Sequence, residues 1–542
     1  MNPNVSGTTY GTDRRRHMVV LAVSFAVLAG IAPAHAATCG GDCNDDGTVS
    51  AAELVRAMQI FAGDTAVGTC SSADANDDEV VTEDELDKVI HHLFDACASE
   101  SPAASESELC FAGLVGAPIA PQTVVVERSE GSWTAQPGAS WLTVTPSSGQ
   151  AGARLEVRVD ASGLTDGSYE ATVIISDEAL QTAVSIRVGL SLYMPSATAG
   201  WKVQTIEPVG TAVNGTSLAL DPEGRPGITF YRADRTVDRQ LRYAHWTGCR
   251  WRAESVERLG IDSSLAFDRI GRPHISFLGA PDVLRYGRKK GPNWYIVTVE
   301  DQGDGGSTGS RSSLALDATD HPHISYLLKR TTGHIFTYDL RYVHFDGKDW
   351  TFETVDAEGT TGWDTSLALS PGGDPRISYH TDLPEVVRYA EWLGDHWNLE
   401  TVDQGGRPSS LRLDSAGRPR IANHGTAPRD PQLRFAYRDE DHWHTERVDS
   451  QGVSPLGGSR AGVSLALDSG DLPHIAYVDF VTGALQYASQ SATGAWQIEV
   501  IDTGPNVGDY CSLQIDRQDV AHISYLDQTT GTLKYAQGPA RD

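Results

Sequence analysis

The sequence predicts a mostly β, multidomain protein whose largest part is a seven-bladed β-propeller. The first observation is a unit of about 50 residues that recurs seven times after residue 200. The second is the composition, because 54 Gly and 26 Pro residues indicate many turns and 40% hydrophobic residues suffice for folded cores. The third is the length, because 542 residues exceed what one hydrophobic core supports.

Each repeat is predicted to form four short strands. It opens with Ser-Leu-Ala-Leu-Asp or a close variant, followed by strands of the His-Ile-Ser-Tyr and Leu-Arg-Tyr-Ala kinds and a strand that begins with Trp. The seventh repeat lacks its Trp strand, and Trp201–Ile206 supplies one ahead of the first repeat. We expect this segment to complete the last blade and close a ring over residues 200–542, since an open solenoid would leave one end unmatched. The repeats open at Ser217, Ser264, Ser313, Ser366, Ser410, Ser464 and Ser512.

Residues 1–36 have the pattern of a secretory signal peptide. Arg14–His17 is positively charged, residues 18–32 are apolar, and Ala34-His35-Ala36 fits a cleavage site. We expect a secreted or cell-surface protein, with contact to a membrane only through an uncleaved signal as the alternative. Export permits disulfides, although their pairing cannot be read from the sequence. Cys249 and Cys511 are expected not to pair, because their loops emerge on opposite faces of the propeller.

Residues 37–97 are predicted to form a small α-helical module that binds calcium. The chain has a formal net charge of −29, and residues 37–110 hold 17 Asp and Glu against two basic residues, which indicates a cation site or a solvated tail. Two segments follow the twelve-residue calcium loop, although Glu79 replaces the turn glycine of the second. Val49, at position 8 of the first loop, can pair with the second loop. The predicted ligands are Asp42, Asn44, Asp46, Thr48, Ser50 and Glu53, then Asp74, Asn76, Asp78, Val80, Thr82 and Glu85.

A helix is predicted to leave each loop. Residues 52–61 place Leu54, Met58 and Phe61 at helical spacing, and residues 83–94 have a similar pattern. A calcium loop followed by an exiting helix, twice, resembles a dockerin domain. The resemblance implies calcium binding through duplicated half EF-hands and docking onto a cohesin-like scaffold. The chain departs from the dockerin pattern in its position-12 Glu residues, its extra cysteines and its N-terminal placement.

Residues 98–109 are interpreted as a flexible linker and residues 110–196 as an Ig-like β-sandwich. The runs Trp141–Gly149, Val157–Asp160 and Gly167–Val173 resemble BACON-type Ig-like domains, a family proposed to bind carbohydrate. Because no cluster of exposed aromatic residues is evident, we interpret the domain as a structural spacer, with carbohydrate binding as the alternative. The predicted strands are Thr123–Val126, Trp141–Val144, Leu155–Val159, Tyr169–Ile175 and Val184–Leu192.

An Asp and a His recur six residues apart in four repeats, as in Asp268 and His274, and in three of them a Ser lies two residues after the His. A Ser-His-Asp triad is one interpretation, but a catalytic site needed once is not expected in four copies. We interpret the pairs as buried hydrogen-bond brackets, similar to the networks of WD-repeat propellers. Departures from the repeat are better candidates for a ligand site. They are Trp363 and Asp364 in the loop before the fourth blade, Arg376 and Arg420 at the His position, and His424.

These features predict an exported, calcium-binding modular protein whose propeller binds a glycan or an extracellular protein without catalysis. The alternative is an extracellular glycan-active hydrolase or lyase with its active site on the propeller face. Sialidase-type Ser-x-Asp-x-Gly-x-x-Trp boxes are absent from the sequence. The acidic charge argues against nucleic acid as a partner, because nucleic-acid binding needs a basic surface.

Overall fold

The protein is nearly all β, with one α-helix among the described residues and many small sheets. It divides into two compact units, Met1–Ser101 and Pro102–Asp542. Within the described residues, no helix is long and apolar enough to cross a membrane. The computed structural model describes residues 43, 49–62, 65–70, 73, 81–82, 86, 89, 103–128, 132–150, 152–177, 182–196, 198, 200–210, 215–233, 239–301, 306–332, 335–405, 408–425, 432–439, 442–449, 462–479 and 481–539.

The first unit contains helix α1 (Ala51–Phe61) and a 3-10 turn (Val67–Thr69). The helix begins at Ser50, whose hydroxyl accepts the backbone N–H of Glu53 while the Glu53 carboxylate accepts the backbone N–H of Ser50, a capping box. Its buried apolar residues are Ala57 and Ile60. Met58 and Phe61, two of the residues at helical spacing, are 47% and 42% exposed. The sequence pattern therefore predicted the helix but not the face that it buries.

The eighth residues of the two predicted calcium loops, Val49 and Val81, are both buried and belong to one apolar cluster with Ala57 and Ile60. The two valines share this cluster, and the expected pairing of Val49 with the second loop stays a prediction. Leu86 and Val89 are helical and join the same cluster, and Leu86 donates its backbone N–H to the Thr82 carbonyl. A disulfide joins Cys43 to Cys70 beside this cluster.

The second unit begins with a β-sandwich. One sheet has the order β1-β3-β7-β5, and the other has the order β9-β8-β4-β6, with β2 parallel to β9. Trp133 and Leu155 are fully buried in the core between them. The five predicted strands are present, whereas β2 and β4 and the two-residue strands β1 and β6 were not predicted. The strands are β1 (Ala103–Ala104), β2 (Glu108–Leu114), β3 (Gln122–Arg128), β4 (Trp133–Pro137), β5 (Leu142–Thr145), β6 (Ser148–Gly149), β7 (Arg154–Val159), β8 (Gly167–Asp177) and β9 (Thr182–Pro195).

The rest of the second unit contains seven antiparallel repeat sheets among the described residues, and the first six are each built from one sequence repeat. Repeat sheets 1 to 6 have four consecutive strands each. Sheet 1 is β11 (Thr216–Leu220), β12 (Pro226–Ala233), β13 (Arg239–Trp246) and β14 (Trp251–Arg258); sheet 2 is β15 (Ile261–Phe267), β16 (Pro273–Gly279), β17 (Val283–Lys290) and β18 (Asn293–Glu300); sheet 3 is β19 (Ser307–Leu316), β20 (Pro322–Thr332), β21 (Ile335–Phe345) and β22 (Trp350–Asp356). Sheet 4 is β23 (Trp363–Leu369), β24 (Pro375–Asp382), β25 (Glu385–Trp392) and β26 (Trp397–Gln404); sheet 5 is β27 (Ser409–Leu413), β28 (Pro419–Gly425), β29 (Gln432–Asp439) and β30 (His442–Asp449); sheet 6 is β31 (Val463–Leu467), β32 (Pro473–Asp479), β33 (Ala484–Gln490) and β34 (Trp496–Asp502).

Repeat sheet 7 takes its fourth strand from the other end of the repeat region. It consists of β35 (Val507–Ile515), β36 (Val520–Asp527), β37 (Thr532–Pro539) and β10 (Lys202–Pro208). Strand β10 pairs with β37 from Lys202 opposite Gln537 to Pro208 opposite Thr532. The predicted pairing of the N-terminal Trp strand with the last repeat is therefore confirmed. The far edge of β10 pairs with β9, so one continuous sheet joins repeat sheet 7 to the sandwich.

One hydrogen bond recurs between consecutive repeat sheets. The serine that opens a repeat accepts the backbone N–H of the first Leu in the next repeat. Repeat sheets 7 and 1 are joined in the same way, because Leu218 donates to the Ser512 hydroxyl at 3.0 Å. Each first strand thus contacts the next, and we call the meeting edges the inner edges of the sheets. The other donors are Leu265, Leu314, Leu367, Leu411, Leu465 and Leu513, and their acceptors are Ser217, Ser264, Ser313, Ser366, Ser410 and Ser464, at 2.9–3.0 Å.

Candidate ligand site at the inner edges of the repeat sheets

The recurrent Asp and His residues form brackets inside the repeat sheets that carry them. In repeat sheet 6, the Nε2 atom of His474 lies 3.2 Å from the Asp468 carboxylate, and its Nδ1 atom lies 2.7 Å from the Tyr487 hydroxyl. Burial lowers the pKa of His474, which favours the neutral ring. The bracket interpretation is confirmed, but Tyr is its third member rather than Ser. The same arrangement occurs in Asp268, His274 and Tyr286 and in Asp516, His522 and Tyr535. In repeat sheet 3, His323 contacts the Tyr342 hydroxyl in the same way, but its Nε2 atom lies 3.7 Å from the Asp317 carboxylate, beyond hydrogen-bond distance.

The serine that follows two residues after the His faces the neighbouring sheet instead. The Ser276 hydroxyl lies 2.9 Å from the hydroxyl of Ser312, and the Ser325 hydroxyl lies 2.9 Å from that of Thr365. These contacts join one sheet to the next. They do not bring a Ser to the His ring, so the described geometry gives no support for a catalytic triad in these repeats.

Arg376 and Arg420 are also part of the scaffold. Arg420 replaces the His of the bracket in repeat sheet 5, donates to the Asp414 carboxylate at 2.8 Å and lies over the Tyr437 ring at 5.5 Å. Arg376 donates to the Trp392 carbonyl at 2.9 Å. Both side chains therefore satisfy groups of their own sheets, at the hairpin end of the first and second strands.

Trp363 and Asp364 lie at the opposite end of repeat sheet 4. Trp363 pairs with His380, four residues from Arg376 on β24, a separation of about 13 Å along a strand. The structure therefore does not bring the five predicted residues into one site. His424, on β28 of the next sheet, is 1% exposed, and burial lowers its pKa to about 4. It is a neutral core residue and is not available to a ligand at the surface.

Asp364 belongs to a set of four residues with left-handed backbone. Each lies two positions before the opening serine of its repeat, where a shift in register interrupts the pairing of the first strand. A non-glycine residue with positive φ is strained, and such strain concentrates at functional sites. We call these four residues the inner-edge cluster: Asp262 (φ 51°), Arg311 (φ 57°), Asp364 (φ 50°) and Tyr510 (φ 54°).

The inner-edge cluster brings charges from several sheets together. An Arg311 guanidinium nitrogen lies 3.3 Å from a carboxylate oxygen of Asp364, and the Arg311 backbone N–H donates to the Asp262 carboxylate at 3.4 Å. The Arg311 and Asp364 side chains are 27% and 16% exposed, so both are accessible from solvent. Burial lowers the pKa of Arg311, but Asp364, Asp262 and the Tyr510 phenol outweigh it and hold the pKa above its usual value. Arg311 is therefore a fixed cation within reach of groups from three other sheets.

Glycines two positions earlier allow this geometry. Gly309 and Gly362 have φ of 94° and 88°, and a Cβ atom on either would lie within 3 Å of the Leu284 or Leu340 backbone. The resulting pattern is Gly, any residue, the left-handed residue, any residue, Ser. It occurs in repeats 2, 3, 4 and 7. The same Gly-to-Ser spacing in repeat 5 has Pro408 in the middle, which cannot adopt positive φ, so the spacing with a non-proline middle residue could have identified Asp262, Arg311 and Tyr510 from the sequence.

A cavity of about 840 Å³ lies at the other end of the first strands. Its lining includes the Asp residues that end these strands, but their oxygens already accept backbone N–H groups. The Asp268 carboxylate, for example, accepts those of Ile270 at 3.1 Å and Arg272 at 2.7 Å. These carboxylates stabilise hairpin turns, which makes the inner-edge cluster the stronger candidate for a ligand site.

The predicted calcium ligands are only partly described. Ser50, Glu53 and Thr82 lie within the described residues; Asp42, Asn44, Asp46, Thr48, Asp74, Asn76, Asp78, Val80 and Glu85 lie outside them. Glu53 is 4% exposed, and its two oxygens accept the backbone N–H groups of Cys43 and Ser50. The carboxylate is thus directed at positions 2 and 9 of its own loop, an orientation that fits a position-12 calcium ligand. Among the described residues there is no group of three or more His, Cys, Asp or Glu that could hold a metal.

A family model for the viral BACON domain matches residues 119–189. This supports the Ig-like part of the predicted recognition and leaves the rest of the chain unassigned. No curated protein matches the chain significantly.

Solved structures are similar to parts of this chain. A Dyadobacter fermentans protein of unknown function is 12% identical, with 64% of this chain and 100% of that chain covered and a TM-score of 0.40. A mutant Aleuria aurantia lectin in complex with α-methyl-L-fucoside is 13% identical, with 55% and 97% covered and a TM-score of 0.38. A leech intramolecular trans-sialidase is 12% identical, with 71% and 82% covered and a TM-score of 0.35. At such identities and TM-scores these similarities carry no argument about function.

Proposed function

We propose that the chain is an exported glycan-binding protein, that its seven repeat sheets form a closed seven-bladed β-propeller, and that the inner-edge cluster is its ligand site. The main support for this site is the position of Arg311. Its strained backbone holds it between Asp262 and Asp364, which belong to the two adjacent sheets. Closure is supported by the Leu218–Ser512 hydrogen bond and by the pairing of β10 with β37. The disulfides are compatible with export.

A glycan suits the chemistry of this cluster. Sugar hydroxyl groups both donate and accept hydrogen bonds, and the cluster presents a guanidinium donor beside carboxylate acceptors. Hydrogen bonds to charged groups in a partly buried site are stronger than those between neutral groups. Trp363, next to Asp364, and Tyr510 add aromatic groups that can contact the apolar faces of a sugar ring.

We expect Arg311→Ala to weaken glycan binding at least about tenfold, the factor for losing one charge-assisted hydrogen bond. The measurement is binding of the mature full-length chain to an array of neutral, carboxylated and sulfated glycans. Arg517→Ala is the matched control, because Arg517 is exposed and lines the cavity at the other end of the first strands. A larger loss of glycan affinity with Arg517→Ala than with Arg311→Ala would show that the glycan binds in that cavity and not at the inner-edge cluster. Turnover of the bound glycans would instead favour the hydrolase or lyase alternative.

For the first unit we propose calcium binding by residues 37–97, with docking onto a cohesin-like scaffold as the finer possibility carried by the dockerin resemblance. The buried Glu53 carboxylate, directed into its loop, supports the calcium proposal. Calcium would neutralise carboxylates that otherwise repel one another. The sandwich end at 196 and the propeller at 200–542 belong to the same proposal. The expected linker at 98–109 and sandwich start at 110 are corrected by the structure, because β1 and the first residues of β2 already pair within the sandwich.

Titration of the mature chain with Ca²⁺ by calorimetry should show uptake that Asp42→Ala weakens by about tenfold or more, because it removes a charged oxygen ligand of the first loop. Glu106→Ala provides a control, since it removes an acidic residue outside both loops. The proposal fails if the wild-type chain takes up no calcium at millimolar concentration. Equal weakening by both substitutions would indicate a general charge effect.

A further inference from the structure

The hairpin between β20 and β21 of repeat sheet 3 is longer than its counterparts. Both strands have 11 residues, whereas the second and third strands of the other repeat sheets have 7 or 8. The base of the hairpin contacts the loop that enters repeat sheet 4. Tyr338 accepts the backbone N–H of Thr361 at 3.2 Å, and its ring lies 5.3 Å from that of Trp363. The hairpin therefore projects beside the inner-edge cluster.

One face of this hairpin carries a row of aromatic and cationic groups. Phe336 and Tyr338 are two residues apart on β21, so their side chains point to the same face, about 7 Å apart. Lys329 lies directly opposite Tyr338 on the neighbouring strand β20, so its side chain is on the same face. The Lys329 ammonium lies 4.4 Å from the centroid of the Phe336 ring. Phe336 is 53% exposed although it is a large apolar side chain. Trp363, Tyr338 and Phe336 thus form a row that leads outward from Asp364 and ends at a cation.

We infer that this row is an extended subsite for an oligosaccharide that carries acidic groups. The inference rests on the proposed glycan site and adds the size and charge of the ligand. The inner-edge cluster would hold one sugar unit, and the rings of Tyr338 and Phe336 would contact the apolar faces of the next units. The Lys329 ammonium would pair with a carboxylate or sulfate on the outer unit, where Phe336 already shields it from water on one side.

The opposite face of the hairpin offers a matched control. Ile335 is 67% exposed and adjacent to Phe336, but its side chain points to the other face, where Arg330 pairs with Asp339 at 2.6 Å. Ile335→Ala and Phe336→Ala therefore remove similar exposed apolar groups from the same hairpin tip. Only Phe336→Ala changes the aromatic row.

The test measures binding of the mature chain to neutral, carboxylated and sulfated glycans of one to six sugar units. We expect affinity to rise with length, Phe336→Ala to weaken binding of the longer glycans about tenfold, and monosaccharide binding and Ile335→Ala to show no change. Lys329→Gln should remove the preference for acidic over neutral glycans. Glycan binding that is independent of length, or equally affected by Phe336→Ala and Ile335→Ala, would overturn this inference alone. An absence of glycan binding by the wild-type chain would overturn the proposed function as well.

Discussion

Replacing Trp201 by alanine is expected to lower the free energy of unfolding by about 3–5 kcal/mol, the cost of removing a large buried side chain. Trp201 is 3% exposed and immediately precedes β10. Its ring makes an edge-to-face contact with Tyr487 of repeat sheet 6, with centroids 4.9 Å apart, and its Nε1 atom donates to Glu499 at 3.2 Å. Because 298 residues separate Trp201 from Glu499, this loss would measure a contact that joins the two ends of the repeat region.

The same contact recurs at all seven junctions, which provides an internal control. Trp443 of repeat sheet 5 makes it with Tyr389 and donates to Glu400 at 2.7 Å. Trp443→Ala removes an equivalent contact between repeat sheets 4 and 5, which are consecutive in the chain. Its effect therefore does not depend on whether the two ends of the repeat region meet. The other ring pairs are Tyr535–Trp251, Tyr243–Trp294, Tyr286–Trp350, Tyr342–Trp397 and Phe435–Trp496.

Urea unfolding followed by far-UV circular dichroism would compare the two variants, since this signal does not depend on tryptophan fluorescence. A closed ring predicts a substantial loss for both, the greater for Trp201 because it is more completely buried. If Trp201→Ala is nearly neutral while Trp443→Ala is destabilising, the N-terminal segment around β10 does not complete repeat sheet 7, and the ring is open where β10 should pair with β37. The proposed closure would then be wrong.

The success of the sequence analysis in the repeat region follows from repetition. A single Ser-Leu-Ala-Leu-Asp segment is compatible with several structures, but seven copies at similar spacing distinguish the pattern from chance. Repetition also allowed the Trp strand at residues 201–206 to be placed. The seventh repeat lacks its fourth strand, and the segment before the first repeat supplies a strand of that kind. The role of the opening serine was missed, since its partner lies in the next repeat.

The candidate site was only half predictable. Trp363 and Asp364 stood out because they depart from the repeat, and Asp364 does belong to the inner-edge cluster. Arg311 did not stand out, because its importance depends on contacts with Asp262 and Asp364, which lie 49 and 53 residues away in the sequence. Backbone strain at these positions is a property of the packed sheets, and no local propensity reports it. Arg420 was wrongly predicted as a ligand-site residue for the opposite reason. It departs from the repeat, but it keeps the structural role of the His that it replaces.

The sandwich is more firmly attached to the repeat sheets than the term spacer implies. A disulfide joins Cys110 on β2 to Cys249, between β13 and β14 of repeat sheet 1. Beside it, the 3% exposed Arg250 pairs with Glu108 and Glu170 of the sandwich, both at 2.8 Å. Gly189 is required at this contact, because a Cβ atom there would lie 2.4 Å from the Cys249 sulfur.

Removing this disulfide by the paired substitutions Cys110→Ala and Cys249→Ala is expected to lower the free energy of unfolding by about 2–4 kcal/mol, the usual effect of a native disulfide. The sequence separation of 139 residues means that the bond restricts a large part of the unfolded chain. Cys511→Ala is the control, because Cys511 is buried and free and its replacement removes a thiol without removing a crosslink.

Denaturant unfolding under non-reducing conditions would compare the paired variant, the control and the wild-type chain. A peptide map without reductant should contain the Cys110–Cys249 pair. A map that instead links Cys249 to Cys511 would contradict both the disulfide and the assignment of their loops to opposite ends of the sheets. If the map is as expected but the paired variant is as stable as the wild type, Arg250 and the pairing of β9 with β10 alone hold the sandwich in place. That result would show that the sandwich and the repeat sheets unfold as one unit without needing the disulfide cross-link.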